Sequence, residues 1–97
     1  MLRHVVLLRF RPDAPADTAP RAVEALKTLP ARIPEIRAYQ PGLDVVREAR
    51  SYDVGLIGDF DDRAALARYL AHPAHVEVVR EYLSPWLADL AVVDVVV

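Results

Sequence analysis

The stretch RYLAHPAHVEVV, residues 68–79, holds two histidines and a tyrosine, side chains that can move or share a proton. His72 and His75 stand on either side of a Pro-Ala pair, and Tyr69 precedes them. A neutral imidazole accepts a proton from an acidic C–H group, and a phenol donates a hydrogen bond to an oxygen that gains charge. The pattern leaves three interpretations open: metal ligands, a catalytic base with a helper, or a turn between two helices.

Pro73 sets the expected geometry of this stretch. Proline disfavours helical dihedral angles in the residue before it, so we expect His72 at the N-cap of a helix that begins at Pro73. His75 then lies in the first turn, where the partial positive charge of the helix end disfavours a protonated imidazole. We therefore expect His75 to be neutral near pH 7 and able to act as a general base, and His72 to cap the helix or face solvent.

A metal site is poorly specified by this spacing. Two histidines three residues apart share a helix face only if both are helical, and His72 is expected to lie outside the helix. No carboxylate lies within the turn, and the absence of cysteine excludes thiolate ligands, thiolate catalysis and disulfide bonds. Whether a metal binds is therefore left unknown. The pair Asp61-Asp62 is expected to cap a helix rather than to form a carboxylate dyad.

Alternating apolar residues and a valine-rich tail predict four strands. The predicted strands cover residues 2–10, 35–47, 52–60 and about eight residues within the tail 87–97. Alternation in the first strand places His4 on one face with the apolar residues at positions 6, 8 and 10. Pro41 interrupts the second strand, which indicates an edge strand or a bulge.

Amphipathic spacing predicts three helices between these strands. Their expected starts are Asp17 or Thr18, Asp61 or Asp62, and Pro73. Prolines after Leu29 and after Ser84 end the first and the third of them. The side chains expected to be buried on the second and third helices are Leu66, Tyr69, Leu70, Val76, Val79 and Leu83.

The order β-α-β-β-α-(α)-β predicts a single α+β domain over residues 1–97 with the split βαβ, or ferredoxin-like, arrangement. Such a domain has a four-stranded antiparallel sheet with its helices on one face. The open face should be polar if it met water, but pairs such as Val5-Val6 and Val92-Val93 make the strands apolar on both faces. We therefore expect a homodimer whose two sheets pack face to face as a closed barrel with a cavity between them.

Composition argues against several classes of partner. The 97 residues carry a net charge of −2 and no long basic run, so no nucleic-acid partner is expected. No segment approaches the ~20 apolar residues of a membrane span, and no signal-peptide cleavage site follows the first strand. We therefore expect a cytoplasmic protein with no membrane partner. The three glycines form no nucleotide-binding motif, and no cofactor is expected.

Several segments resemble the stress-responsive α/β-barrel, or Dabb, family. They are HVVLLRF at 4–10, IPEI at 33–36, Gly42, YDVGLIGDFDD at 52–62 and YLAHPAHVEVV at 69–79. The resemblance implies a dimeric ferredoxin-like barrel. One plant branch of the family contains a polyketide cyclase that performs an intramolecular aldol condensation. In that enzyme the second histidine of the HPAH motif is the base, and a tyrosine six residues earlier assists.

The resemblance thus implies catalytic roles for His75 and Tyr69, and it places the family's first-strand histidine, here His4, in the same cavity. It also implies a pocket tyrosine on the first helix. Residues 22–29 contain no aromatic side chain, so the pocket is expected to differ in shape. Some plant members hold a divalent ion through backbone carbonyls near the start of the second strand, and such a site would leave no side-chain pattern around Ile33-Pro34.

Two functions follow. The first is a cofactor-free cyclase, isomerase or lyase in which His75 removes an acidic α-proton from a small, mostly apolar carbonyl compound, while Tyr69 and His4 orient it or stabilise the enolate oxygen. The second is a non-catalytic dimer that binds a small hydrophobic ligand or has a stress-related structural role. Asp94, which interrupts the last valine run, is expected to face water or an arginine across the dimer.

Overall fold

The expected order of strands and helices is present in a computed structural model that describes residues 1–97. The elements are β1 (Leu2–Phe10), α1 (Thr18–Lys27), β2 (Ala38–Leu43), β3 (Val54–Phe60), α2 (Arg63–Ala71), α3 (Pro73–Val78) and β4 (Leu87–Val96). A 3-10 turn, Leu29–Ala31, follows α1, and a π-helical turn, Val79–Leu83, follows α3. The predicted ferredoxin-like fold is therefore confirmed.

The sheet is antiparallel throughout, with strand order β2-β3-β1-β4. β2 is an edge strand, and this position explains why it tolerates Pro41, which has no N–H to donate to a ladder. The strand is continuous through Pro41 and Gly42. The expected interruption there was wrong, and β2 is shorter than predicted because residues 44–53 form the connection to β3.

One face of β1 lies against the helices. Leu2, Val6, Leu8 and Phe10 are buried there, and His4 shares that face with them. The intervening residues of β1 are half-buried or exposed, as the alternation of side chains in a strand requires. Each fully buried aliphatic side chain on the inner face contributes roughly 1.5–3 kcal/mol through loss of contact with water.

Two aspartates fix the junction between β3 and α2. Asp62 is the N-cap of α2, and its Oδ1 accepts a hydrogen bond from the Ala65 N–H at 2.8 Å. Asp61 instead accepts two hydrogen bonds from the Arg37 guanidinium, at 2.9 and 2.8 Å. The expectation that this pair caps a helix is confirmed for Asp62, which satisfies a backbone donor that the helix itself leaves free.

The segment after Pro73 buries a different set of side chains from the expected one. Val76 is 47% exposed, whereas Val78 and Leu83 are buried. Val76 is two residues from each of the buried Ala74 and Val78 in α3, which places it on the opposite side of the helix. The π-helical turn that follows brings Leu83, five residues after Val78, onto the buried side. Leu70 was also expected in the core, yet it is 43% exposed.

The face of the sheet without helices is apolar at its centre. Leu7 and Ile57 are 39% and 44% exposed, and Val93 and Val95 are 55% and 40% exposed. Arg3, at one end of this face, donates two hydrogen bonds to Asp59. The surface formed by Leu7, Ile57, Val93 and Val95 is referred to below as the open sheet face. None of the helices has the length and apolarity needed to cross a lipid bilayer.

Candidate functional site

His4 lies in β1 between two neighbouring strands, opposite Gly58 in β3 and Asp94 in β4. It is only 6% exposed. Its Nδ1 lies 2.5 Å from Oδ1 of Asp94. The Asp94 side chain is 36% exposed, so it faces water as expected, but it also pairs with a histidine of its own chain. Asp94 can bind His4 because directly opposed residues in an antiparallel ladder hold their side chains close together.

The hydrogen bond to Asp94 decides the tautomer of His4. An ionised carboxylate only accepts hydrogen bonds, so Nδ1 of His4 carries the proton and donates it. The other ring nitrogen, Nε2, is therefore the atom that remains for a ligand. Asp94 also restricts rotation of the ring, as carboxylates do for histidines in metal and catalytic sites.

Tyr69 lies on α2 and is almost fully buried, with 1% of its surface exposed. Its ring centroid is 6.2 Å from that of His4, and its hydroxyl lies 2.7 Å from the hydroxyl of Tyr39. Tyr39, the second residue of β2, was not among the residues predicted from the sequence. A second phenol is thus supplied by β2, whereas the resemblance implied one on the first helix.

Gly58 makes room for these rings. In the sheet it is the direct partner of both His4 and Tyr39, so it lies between them on the inner face. A Cβ atom at this position would stand 3.2 Å from Tyr39 and from Phe60, which is closer than side chains normally pack. A glycine in the middle of a strand is the one sequence signal that indicated such a close approach.

Both phenols are expected to stay protonated at neutral pH. Burial raises the pKa of Tyr69 to about 12, although the hydrogen bond between Tyr69 and Tyr39 acts in the opposite direction. Burial is also the main reason why the pKa of Tyr39 is raised above its usual value. One hydroxyl donates to the other, so the pair retains one O–H that is free to donate to a ligand oxygen.

His75 lies in the first turn of α3, next to Tyr69, and the two ring centroids are 4.6 Å apart. Its Nδ1 lies 3.0 Å from the carbonyl oxygen of Leu70. A carbonyl only accepts, so Nδ1 carries the proton and Nε2 holds a lone pair when the ring is neutral. His75 therefore presents a base at Nε2.

The neutral form of His75 is also favoured by its surroundings. Burial lowers the pKa of the half-buried His75 imidazole below its usual value of 6.5, and nearby His4 and His72 lower it further. The Leu70 carbonyl partly offsets this effect. The direction is the one predicted from the sequence, and burial rather than the helix end is its largest cause.

His72 is the N-cap of α3, as Pro73 predicted. Its Nδ1 accepts a hydrogen bond from the Ala74 N–H at 3.0 Å, so its role in the turn is structural. No group of three or more histidine, cysteine, aspartate or glutamate side chains is arranged to hold a metal ion.

His4, Tyr69 and His75, with Tyr39, are referred to below as the His–Tyr cluster. The cluster lies between the sheet and the helices of one chain, on the inner face. The expectation that the site occupies a cavity between two sheets was therefore wrong. Asp94 extends the cluster to the protein surface, because it also lines a groove of about 500 Å³ beside α2.

This arrangement of a first-strand histidine with the second histidine of an HPAH turn agrees with a match to a family model. The model of the Stress responsive A/B Barrel Domain, Dabb, matches residues 2–97. The chain belongs to the Dabb family. The resemblance noted in the sequence is thus confirmed over nearly the whole chain.

Individual relatives match most of the chain. An uncharacterized protein of Streptomyces coelicolor is 34% identical over 95 residues, which are 92% of this chain and 97% of the relative. The stress-response A/B barrel domain-containing protein HS1 of Arabidopsis thaliana is 28% identical over 95 residues, 96% of this chain and 86% of its own. A solved structure from Thermobifida fusca is described as a dimeric ferredoxin-like protein of unknown function. It is 31% identical with a TM-score of 0.88, and the match covers 99% of this chain and 90% of that protein.

Proposed function

We propose that this Dabb protein is a cofactor-free enzyme that removes a proton from the carbon next to a carbonyl group, in the manner of an aldol cyclase, isomerase or lyase. The observation that carries the proposal is the hydrogen bond between Nδ1 of His75 and the Leu70 carbonyl at 3.0 Å. It leaves the Nε2 lone pair free beside Tyr69. A base whose pKa lies somewhat below neutral is largely unprotonated at pH 7 and ready to accept.

The proposed step balances within the cluster. Nε2 of His75 takes the α-proton, and the electron pair of the C–H bond becomes the carbon–carbon double bond of an enolate. The imidazolium formed on His75 keeps its Nδ1–H bond to the Leu70 carbonyl. The enolate then either takes the proton from Nε2 at a different atom, its oxygen or a conjugated carbon, which is an isomerisation, or its carbon attacks a second carbonyl of the same molecule. In that aldol cyclisation the alkoxide that forms takes the proton from Nε2, and His75 returns to its neutral form.

The negative charge on the enolate oxygen is stabilised by a hydrogen-bond donor that is shielded from water. The Tyr39–Tyr69 pair keeps one free O–H, and its raised pKa values mean that this O–H donates without being lost at neutral pH. Nε2 of His4 does not share this role, because Nδ1 carries the ring proton toward Asp94 and Nε2 of the neutral ring accepts, which suits a hydroxyl group of the substrate. Buried donors are effective here because few water molecules screen the interaction.

We also propose that the working form is a homodimer that pairs through the open sheet face. Four aliphatic side chains of that face are each at least 39% exposed in the single chain. An apolar patch of this kind on a small domain is typical of an interface. The Thermobifida fusca relative is described as dimeric, which supports a dimer without specifying the face that pairs.

The test of the enzyme proposal is deuterium exchange. The protein is incubated in D₂O with a panel of small ketones that includes acetophenone and methyl hexyl ketone, and NMR follows loss of the α-proton signals. We expect the native protein to exchange α-protons faster than buffer alone does. The part of the rate that exceeds the buffer rate should fall about a hundredfold in His75→Gln. His72→Asn is the matched control, because asparagine retains the cap and removes the neighbouring imidazole. Equal exchange in native protein and His75→Gln contradicts the proposal.

A second function, binding of a small hydrophobic ligand without chemistry, is favoured by the burial of the cluster. Tyr69 is 1% exposed and His4 is 6% exposed, and both are already hydrogen-bonded within the chain. In that case a ketone binds with equal affinity to native protein and to His75→Gln, and neither accelerates exchange. The same experiment therefore separates the two functions.

A further inference from the structure

A groove separates α2 from the edge strand β4. Its volume is about 500 Å³, within the usual range for small-molecule pockets. The apolar residues that line it are Leu2, Leu66, Ala67, Leu70 and Val96. Two charged residues, Arg63 and Asp94, complete its wall. No aromatic side chain lines the groove, so its walls suit an aliphatic body.

Arg63 is the one arginine of this chain that has no partner of its own. Eight of the eleven arginines lie within 4.0 Å of a carboxylate. Two others, Arg9 and Arg21, lie over tyrosine rings. Arg63 makes neither type of contact, and it lies at the wall of an apolar groove.

The position of Arg63 in its helix does not explain why a cation is placed there without a partner. It is the first residue of α2, directly after the N-cap Asp62. A helix N-terminus carries partial positive charge, so a cation there is disfavoured. Because the cation stabilises neither the helix nor an ion pair of the chain, an external anion is the partner that its placement suits.

The two charges lie at different positions along the groove. α2 begins just after Phe60, whose sheet partner is Leu2, and Leu2 in turn is opposite Val96. Arg63 therefore marks the end of the groove near Val96. Asp94 lies two residues further along β4, where it binds His4 of the cluster. A ligand along the groove thus has its anionic end at Arg63 and must be uncharged where it approaches Asp94.

We propose that this groove binds a straight-chain aliphatic monocarboxylate, with the carboxylate on the Arg63 guanidinium and the alkyl body over Leu66 and Leu70. A guanidinium matches a carboxylate in a bidentate pair. A dicarboxylate is rejected by the negative charge of Asp94. A substrate bound in the same way would carry, besides this carboxylate, a ketone at the end near Asp94, and this extension rests on the function proposed above, because Asp94 connects the groove to His4.

The test is calorimetric titration of the full-length protein with octanoate, octanol and the eight-carbon dicarboxylate suberate. We expect octanoate to bind more tightly than either of the other two. Arg63→Gln should weaken octanoate about tenfold and leave octanol unchanged, since only the charged contact is lost. Arg68→Gln is the matched control, because it removes the same charge from the same helix at a residue paired with Glu35.

Three outcomes overturn the inference. Octanoate that binds no better than octanol removes the role of the carboxylate, and equal weakening in Arg63→Gln and Arg68→Gln reduces it to net charge. A change of molar mass by light scattering in Arg63→Gln shows that the groove is instead a contact with a second copy. If octanoate binds as expected while His75→Gln leaves deuterium exchange unaltered, the result supports carboxylate binding in the groove and contradicts the proposed enzyme function.

Discussion

The imidazole of His4 donates from Nδ1 to the carboxylate of Asp94, although the two residues are 90 positions apart in the chain. They meet because β1 and β4 are neighbours and His4 and Asp94 are direct partners in the ladder. The pair connects an almost fully buried histidine to a carboxylate that is 36% exposed. It is one of two hydrogen bonds that join the His–Tyr cluster to residues of the groove beside α2, the other being that of His75 with the Leu70 carbonyl.

Removing the acceptor of His4 should destabilise the fold. In Asp94→Ala the buried Nδ1–H of His4 loses its partner, and we expect the free energy of unfolding to fall by about 1–3 kcal/mol. Asp94→Asn is the matched control, because its amide oxygen can still accept from Nδ1–H. It should lose clearly less, as measured by urea unfolding at pH 7. Equal losses in both variants would show that the hydrogen bond is not what stabilises His4.

His75 should make stability depend on pH in a narrow window. Its folded pKa is lowered below 6.5, so the unfolded chain binds more protons than the native one in this range. The part of the unfolding free energy that this pKa difference contributes is complete above pH 6.5. It is lost as the pH falls through the lowered folded pKa. His75→Gln should lack this component when its unfolding free energy is compared with that of the native protein from pH 8 to pH 5. A folded pKa at or above 6.5 in an NMR titration of the His75 ring contradicts this.

The Tyr39–Tyr69 hydrogen bond should appear as a coupling energy. Tyr39→Phe and Tyr69→Phe each leave a buried hydroxyl without its partner, whereas the double variant removes both hydroxyls and leaves a near-isosteric pair of rings. We therefore expect the double variant to be more stable than the sum of the single losses by about 1 kcal/mol. Denaturant unfolding of the four proteins measures this term. Strict additivity would mean that the 2.7 Å contact contributes nothing.

The homodimer should depend on the open sheet face. Ile57→Asp places a charge at a residue that is 44% exposed in the single chain, and we expect a folded monomer with a mass near 10.8 kDa by light scattering. Val45→Asp is the control, because Val45 lies in the connection to β3 and is 87% exposed. It should keep twice the monomer mass. A dimer in Ile57→Asp places the interface elsewhere.

The choice of Ile57 for this test required the structure. Alternation predicts that Val54, Leu56 and Phe60 share a face, but not which face the helices cover. In the folded chain Val54 and Leu56 are 1% and 4% exposed against the helices. A charge at either position would therefore unfold the protein, and only residues in the alternate positions of β3 report on assembly.

Local rules explain how much of the site could be predicted. Pro73 constrains the residue before it, so the N-cap role of His72 and the first-turn position of His75 follow from the four consecutive residues 72–75. Alternation alone placed His4 with the apolar residues of β1. These predictions hold because they depend on dihedral angles and on periodicity, which are properties of short segments.

Contacts between distant segments could not be predicted in this way. Tyr39 reaches Tyr69 only because β2 lies beside β3 and Gly58 leaves space between them. Asp94 reaches His4 only because β4 lies beside β1. Val76 is exposed because Ala74 and Val78 form the buried side of α3, and that choice depends on which elements α3 packs against.

The sequence by itself determined the order of elements, the ferredoxin-like arrangement, the family resemblance and the identity of three cluster residues, His4, Tyr69 and His75. Hydrophobic periodicity and proline geometry act over a few residues, so they can be read without a fold. Tertiary structure decided that the cluster lies under the helices and not between two sheets, that Asp94 and Tyr39 belong to it, and that Arg63 stands unpaired at a groove. These facts depend on which strands and helices become neighbours, and only the packed chain defines that.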